Sequence, residues 1–485
     1  MAEVEIMNFK GKNIIILLIL ILAVGFFGAA LGVKVFQTDN ANTVNSSMSD
    51  NVSSGDDSNM IERVQGIIKD NYIEDVDDEK LTEGAIKGML ETLDDPYSSY
   101  MSGEEMEDFN DEISSSFQGI GAEVSMQDDK VTVIAPIKDS PAEKAGIRPN
   151  DQILKVDDEK LEGMDLNEAV DHIRGEKGSE VELLIERKGV SDPFTVELKR
   201  DDIPVETVET DIQEVDGKKT GVLEITSFAE TTAEETKEAL EELEDKDIQG
   251  LVLDVRGNPG GLLDSVEDIM DLFVPDDLPY VQIEDRDGNS DKFYSSLKEK
   301  KDYPINILTD EGSASASEIL AVALKENGYD TVGETSFGKG TVQQTIPVDQ
   351  EEGDTLKLTN AKWLSPEGNW INEKGVEPDV EQAQPDYYTA NPLQIEDTLS
   401  EDETDDQIET AQIMLTGLGF ETDRKDGYFD ESTVDALEDF QKEYDLEVTG
   451  EINEETAGKL ETEIIETIRD GDDDQQLEKA LEVLY

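Results

Sequence analysis

EGSASASEILAVAL, residues 311 to 324, places serines at 313, 315 and 317 and then runs into an amphipathic stretch. Ser315-Ala316-Ser317-Glu318 fits the capping box, a serine followed three residues later by glutamate ahead of an apolar helical run. Ile319, Leu320, Ala323 and Leu324 supply one helix face, and Asn327-Gly328 supplies a stop signal. A hydroxyl at a helix N-terminus also lies where backbone N–H groups and the helix dipole can stabilise an oxyanion. Capping and catalysis are compatible, so a catalytic partner has to decide between them.

The chain narrows the choice of partner. It has no cysteine, which removes thiolate nucleophiles, disulfides and Cys-ligated zinc, and His172 is its single histidine. A Ser-His-Asp triad would have to use His172, which falls in a helical stretch with no acid–base partner evident, and a zinc site built on two histidines cannot be assembled. Hydrolytic chemistry is left to carboxylates or a lysine. GETSFGKGTVQQ, residues 333 to 344, offers Lys339, and the shared parity of Lys339, Thr341 and Gln343 predicts that they face one side of a strand, with Gln343 orienting the amine. Ser-Lys catalysis needs that amine neutral, so Lys339 is expected in an apolar pocket near Phe337 and away from carboxylates. Gly333, Gly338 and Lys339 nearly form a phosphate loop, but Gly340 stands where the magnesium-binding hydroxyl belongs. Ser295-Ser296-Leu297-Lys298 matches Ser-x-x-Lys without its companion motifs.

Composition excludes further classes. With 119 acidic and 40 basic residues the formal net charge is −79, which repels phosphate backbones, so nucleic acid is not expected as a partner. Such charge also predicts a protein whose stability rises with salt, because screening relieves self-repulsion.

Outward from the serines the chain divides into segments. Ile14 to Val33 carries no charge and is long enough to span a bilayer, and Lys10 and Lys12 before it place the N-terminus on the cytoplasmic side. Residues 1–34 therefore read as a cytoplasmic stub and single transmembrane helix, with the bulk of the chain extracytoplasmic; a cleaved signal peptide is the rival reading. Residues 35–58 are rich in Asn, Ser and Asp and read as a stalk, and 59–113 as helices. From 114 to 200 the period turns to two, and the order of strands and helices, with GIGA and SPAEKAGIRPNDQIL, resembles a PDZ domain. There Gly119, Ile120, Gly121 and Ala122 would present backbone N–H groups to a peptide carboxylate, beside a helix bearing Ala169, Val170 and Ile173. Residues 201–385 alternate strands and helices, and GLVLDV reads as a buried strand of an α/β layer. After an acidic linker, 386–403, the stretch 404–464 carries DGYFDEST and VTGEIN and resembles a three-helix peptidoglycan-binding domain, followed by a helical tail, 465–485.

LDDPYSSYM, the inserted PDZ-like segment, LDVRGNPGG, GSASASEILA, GETSFGKGTVQ and WLSPEGNWINEKGVEPDV, in that order, resemble the carboxyl-terminal processing proteases, also called tail-specific proteases. The resemblance implies a multidomain α/β and α+β fold and a serine endopeptidase that cleaves near the C-terminal tails of proteins. It implies Ser315 as nucleophile, Lys339 as general base, Gln343 as its support, and an oxyanion hole among Gly260, Gly261 and Ala316. The interval between Ser315 and Lys339 is one residue shorter than the family pattern. No metal or organic cofactor is implied, and the expected partners are substrate tails, peptidoglycan and a second copy of the chain. The competing reading is a catalytically inactive scaffold joining a PDZ domain to the cell wall, with Ser315 only a helix cap.

Overall fold

The computed structural model describes residues 58–485, apart from 128–129, 158, 162, 189, 191, 350–352, 396, 470 and 472. The expected stub, transmembrane helix and nearly all of the stalk lie outside the described residues; among those described, no helix is long and apolar enough to cross a membrane. The first described elements are two helices, Ser58–Asn71 and Asp78–Glu91, and the first exposes Met60, Ile61, Val64 and Ile67.

The centre of the remainder is a six-stranded sheet in the order Val208–Val215, Lys218–Ile225, Gly250–Asp254, Ile305–Thr309, Asp330–Gly333 and Val380–Glu381. Only the first pair is antiparallel. Gly250–Asp254 and Ile305–Thr309 are buried along their whole length, which is why GLVLDV reads as a continuous apolar run rather than an alternation. Helices Thr232–Asp245, Leu263–Phe273 and Ala316–Glu326 bring Leu243, Ile269, Phe273 and Leu320 into the main core with Leu223 and Leu253.

An antiparallel sheet stands beside this core, with Thr355–Leu364 at its centre. That strand pairs with Ser99–Met101, Val281–Asp285 and Thr341–Pro347. SYM, inside the segment read as helices, is therefore a strand, and its partner is some 250 residues away in the chain. Between these parts the PDZ-like segment enters and leaves through the paired strands Ser116–Gly119 and Asp201–Pro204. Its five main strands and the helix Leu166–Ile173 enclose a separate core including Val131, Ile153, Leu183 and Ile185. The helices Asp406–Gly417, Glu431–Glu443 and Glu454–Arg469 form a third core around Ile408, Phe429, Phe440 and Leu460.

Candidate active site

Ser315 begins the helix Ala316–Glu326, but not as an ordinary cap. Its φ of 54° and ψ of −108° leave the extended region that helix caps use, and φ > 0 is uncommon for a residue with a side chain. One half of the predicted capping box is firm: Glu318 Oε2 accepts from Ser315 N–H at 2.8 Å. The Ser315 side chain makes no capping hydrogen bond in return. The backbone is thus held in a strained turn that leaves the hydroxyl on a cavity of about 500 Å³, lined also by Lys339, Gln343, Gly260, Gly261 and Ala316. Ile319, Leu263, Val342 and Trp363 give the same cavity an apolar wall.

The flanking serines are structural. Ser313 Oγ donates to Val255 O at 2.8 Å and Ser317 Oγ to Asn258 O at 2.9 Å, so both fasten the turn at Ser315 to the turn after Gly250–Asp254. In that second turn Asn258 Nδ2 donates to Ile225 O, and Asn258 Oδ1 accepts from Gly260 N–H at 2.8 Å. Gly260 N–H is therefore engaged within its own turn, while Gly261 and Ala316 line the cavity beside it. Gly260 serves by closeness instead: a Cβ there would lie 2.8 Å from Ser315 Cβ. Gly261 has φ +143°, and a Cβ would fall 2.1 Å from Phe228 O, so no side chain fits.

Lys339 departs from the strand expectation. The strand starts at Thr341, so Lys339 itself lies before it, but Thr341 and Gln343 share a side and line one cavity with Lys339; the register shift opposite them places the extra residue, Asn360, on the partner strand. A loop places the lysine instead. Glu318 Oε1 accepts from Ser336 Oγ and Gly338 N–H at 2.6 and 2.7 Å, and Oε2 accepts from Lys339 N–H at 2.8 Å. One fully buried carboxylate thus binds the backbone of both Ser315 and Lys339. Sequence reading gave Glu318 only its capping role, because nothing local points to a loop twenty residues on.

The neighbours of the lysine also differ from expectation. Phe337 is 57% exposed, and the ring beside Lys339 is Tyr97, 5.0 Å from Nζ to its centroid. Burial pushes the Lys339 ammonium below the ordinary lysine value and Lys357 pushes the same way, while Glu318 and Asp95 pull against them. The lysine is desolvated as predicted, but not away from carboxylates. Asp95, itself bound by Ser98 Oγ at 2.5 Å, comes from LDDPYSSYM, a stretch that entered the resemblance as a motif without any role for its residues. Gln343 Nε2 donates to Thr341 Oγ1 and Thr359 Oγ1 at 2.9 and 3.1 Å, which leaves its carbonyl oxygen as an acceptor.

In the PDZ-like segment Gly121 has φ +73°, and a Cβ there would lie 2.3 Å from Ser140 Cβ. Gly119, Ile120 and Gly121 are buried, Ala122 and Val170 half-buried, and Ala169 and Ile173 belong to the segment's core. His172 is exposed on this helix, remote in sequence from every residue of the cavity.

The peptidase family S41 profile matches residues 219–382, a PDZ domain 132–187, a peptidoglycan binding domain 404–460, and the activating protease CtpB N-terminal domain 19–105. The chain is 50% identical over 426 residues to the carboxy-terminal processing protease CtpB of Bacillus subtilis, covering 88% of each chain. It is 42% identical over 418 residues to CtpA of the same organism, covering 86% of this chain and 88% of the relative. Among solved structures, the photosystem II D1 C-terminal processing protease is similar at 27% identity and a TM-score of 0.41, covering 68% of this chain and 94% of that one.

Proposed function

The chain belongs to the carboxy-terminal processing proteases of peptidase family S41, and from that premise we propose that it cleaves by a Ser-Lys mechanism with Ser315 as nucleophile and Lys339 as base. The observation that carries this reading is the strained Ser315 on a cavity shared with a desolvated lysine. A helix cap has no need of that backbone conformation, which disfavours the inactive scaffold.

Neutral Lys339 takes the Ser315 proton as Oγ attacks the scissile carbonyl. The N–H groups of Gly261 and Ala316 receive the oxyanion, the second of them at a helix N-terminus. Lys339 then returns the proton to the leaving amine, and later activates the water that hydrolyses the Ser315 ester. The Gln343 carbonyl orients the amine, since its NH₂ group is held by the two threonines.

The remaining assignments extend the same reading. The PDZ domain takes the substrate's C-terminal carboxylate on the backbone of Gly119 to Ala122, beside the helix carrying Val170, and the C-terminal module binds peptidoglycan. A single N-terminal span would hold the enzyme at the outer face of the membrane, and the exposed apolar face of Ser58–Asn71 suits a homodimer contact.

The test is labelling by a serine-reactive phosphonate across a pH series. Modification at Ser315, with a rate rising through a basic group titrating below ordinary lysine, is expected. Label at another serine, or a rate without such a group, would overturn the mechanism.

A further inference from the structure

The far face of the central sheet, opposite the three helices, presents Val222, Val252, Leu308 and Val332. What covers it is the end of the chain itself. The helix Gln475–Val483 and the residue after it lay Ala480 and Leu484 on this face, with Leu477, Leu481 and Val483 packed around them. The docking is specific as well as apolar. Asn306 Nδ2 donates to Ala480 O at 2.7 Å, Thr220 Oγ1 meets Tyr485 Oη at 2.8 Å, and Lys218 Nζ stands 3.6 Å from the Tyr485 ring centroid. Gly250 leaves room for that tyrosine, since a Cβ would fall 2.4 Å from its oxygen.

The start of the same helix reaches the catalytic side. Asp474 caps it by accepting from Leu477 N–H, and takes a two-pronged ion pair from Arg256, with Nη1 to Oδ1 and Nη2 to Oδ2 both 2.8 Å. The Arg256 side chain is 16% exposed and that of Asp474 13%, so neither charge is easily satisfied by water if the other is lost. Arg256 also binds Asp254, which fixes it at the end of Gly250–Asp254. Immediately after it come Gly257, held by Asp310, and Asn258, which organises the turn to Gly261. That turn touches the nucleophile, for Ala314 N–H and Ser317 Oγ both donate to Asn258 O.

We propose that the C-terminal helix is a positioning element for the oxyanion turn, with Asp474 acting through Arg256 to fix Gly261 N–H relative to Ser315. This inference rests on the oxyanion assignment proposed above. It makes the last residues of the chain part of the protease rather than a tail of the helical module.

The full chain with Asp474→Asn tests this, because Asn preserves a capping oxygen for Leu477 N–H while removing the charge facing Arg256. The expected result is a fall in kcat of about tenfold to 10²-fold, at or below the cost of losing one oxyanion donor, with peptide KM and the basic limb of Lys339 unchanged. Phosphonate labelling of Ser315 should slow while the fraction of molecules finally labelled stays the same, and Asp474→Glu should restore part of the rate. Wild-type kcat overturns the proposal. So does a reduced labelled fraction with an unchanged rate per active molecule, which marks a purely structural ion pair. Failure of the oxyanion reading itself would show separately, as wild-type phosphonate labelling in a folded Asn258→Ala variant, which loses both side-chain bonds that shape the turn carrying Gly261.

Discussion

Ser102 and Ser315 each precede a helix and each is followed three residues later by glutamate, but only one of them is an ordinary cap. At Ser102 φ is −65° and ψ 168°, its side chain accepts from Glu105 N–H at 3.3 Å, and Glu105 Oε2 accepts from Ser102 N–H at 2.7 Å. At Ser315 the backbone turns to φ 54°, and the glutamate that would complete the box also holds Ser336, Gly338 and Lys339. The difference lies beyond the four residues of the pattern. A mostly exposed glutamate with one local partner closes a cap, whereas a buried glutamate with four donors from two loops builds a site.

The largest separation should come from the serines themselves. Ser315→Ala is expected to lower kcat/KM by at least about 10³-fold, as loss of a nucleophile does, with little change in the unfolding midpoint. Ser102→Ala should do the reverse, costing about 1 kcal/mol of stability and leaving peptide cleavage intact. Cleavage assays paired with urea unfolding of both variants would break the comparison if the two behave alike.

Next come the glutamates. Glu318→Gln leaves a neutral amide facing four donors and loosens the registration of Ser315 against Lys339, with an expected loss of about 10²-fold in kcat, the scale of a small misplacement of reacting groups. The variant also removes a negative charge that raises the lysine's proton affinity, so its pH–rate profile should move to lower pH as the rate falls. A loss of rate with an upward shift would contradict this assignment.

A smaller effect is expected from charges that act on Lys339 at a distance. Lys357 favours the neutral amine, so Lys357→Met should raise the lysine's pKa and carry the rising limb of kcat/KM to higher pH. Asp95→Asn should carry it the other way, because the carboxylate favours the ammonium. Each change at neutral pH should stay below about tenfold, since solvent and salt in an open cavity screen the pair. Opposite shifts in the two variants are the result to look for.

These residues also mark how far the sequence could be read. Ser315, Lys339 and Gln343 were singled out because a serine without histidine or cysteine partners needs an amine and because the order of motifs resembles a protease family, and the structure brings all three to one cavity. The PDZ-like, α/β and three-helix segments were visible because their periods and turn residues change at their borders. What was hidden depended on contacts between distant segments. Asp95 and Tyr97 reach the lysine only because Ser99–Met101 pairs with Thr355–Leu364 across the whole inserted domain. The loop position of Lys339 escapes a parity argument that carries the strand back past Thr341. The engagement of Gly260 N–H by Asn258, and the return of Asp474 to Arg256, likewise have no signature within their own segments.

The smallest effect falls on the ordinary cap. The backbone N–H of Ser102 holds the Glu105 carboxyl below its usual range, against slight desolvation by burial. A carboxyl whose pKa is lower in the folded chain stabilises it above the unfolded value, about 4.3, and that stabilisation is lost as pH falls through the folded value. Glu105 is exposed, so the contribution should stay well under about 1 kcal/mol once solvent screening is allowed for. Urea midpoints of Glu105→Gln and the parent chain should therefore differ slightly at neutral pH and converge in acid, with kcat/KM the same in both. If Glu105→Gln instead changed the rate of cleavage, the helix after Ser102 would belong to the site, and the contrast with Ser315 would fail at its simpler end.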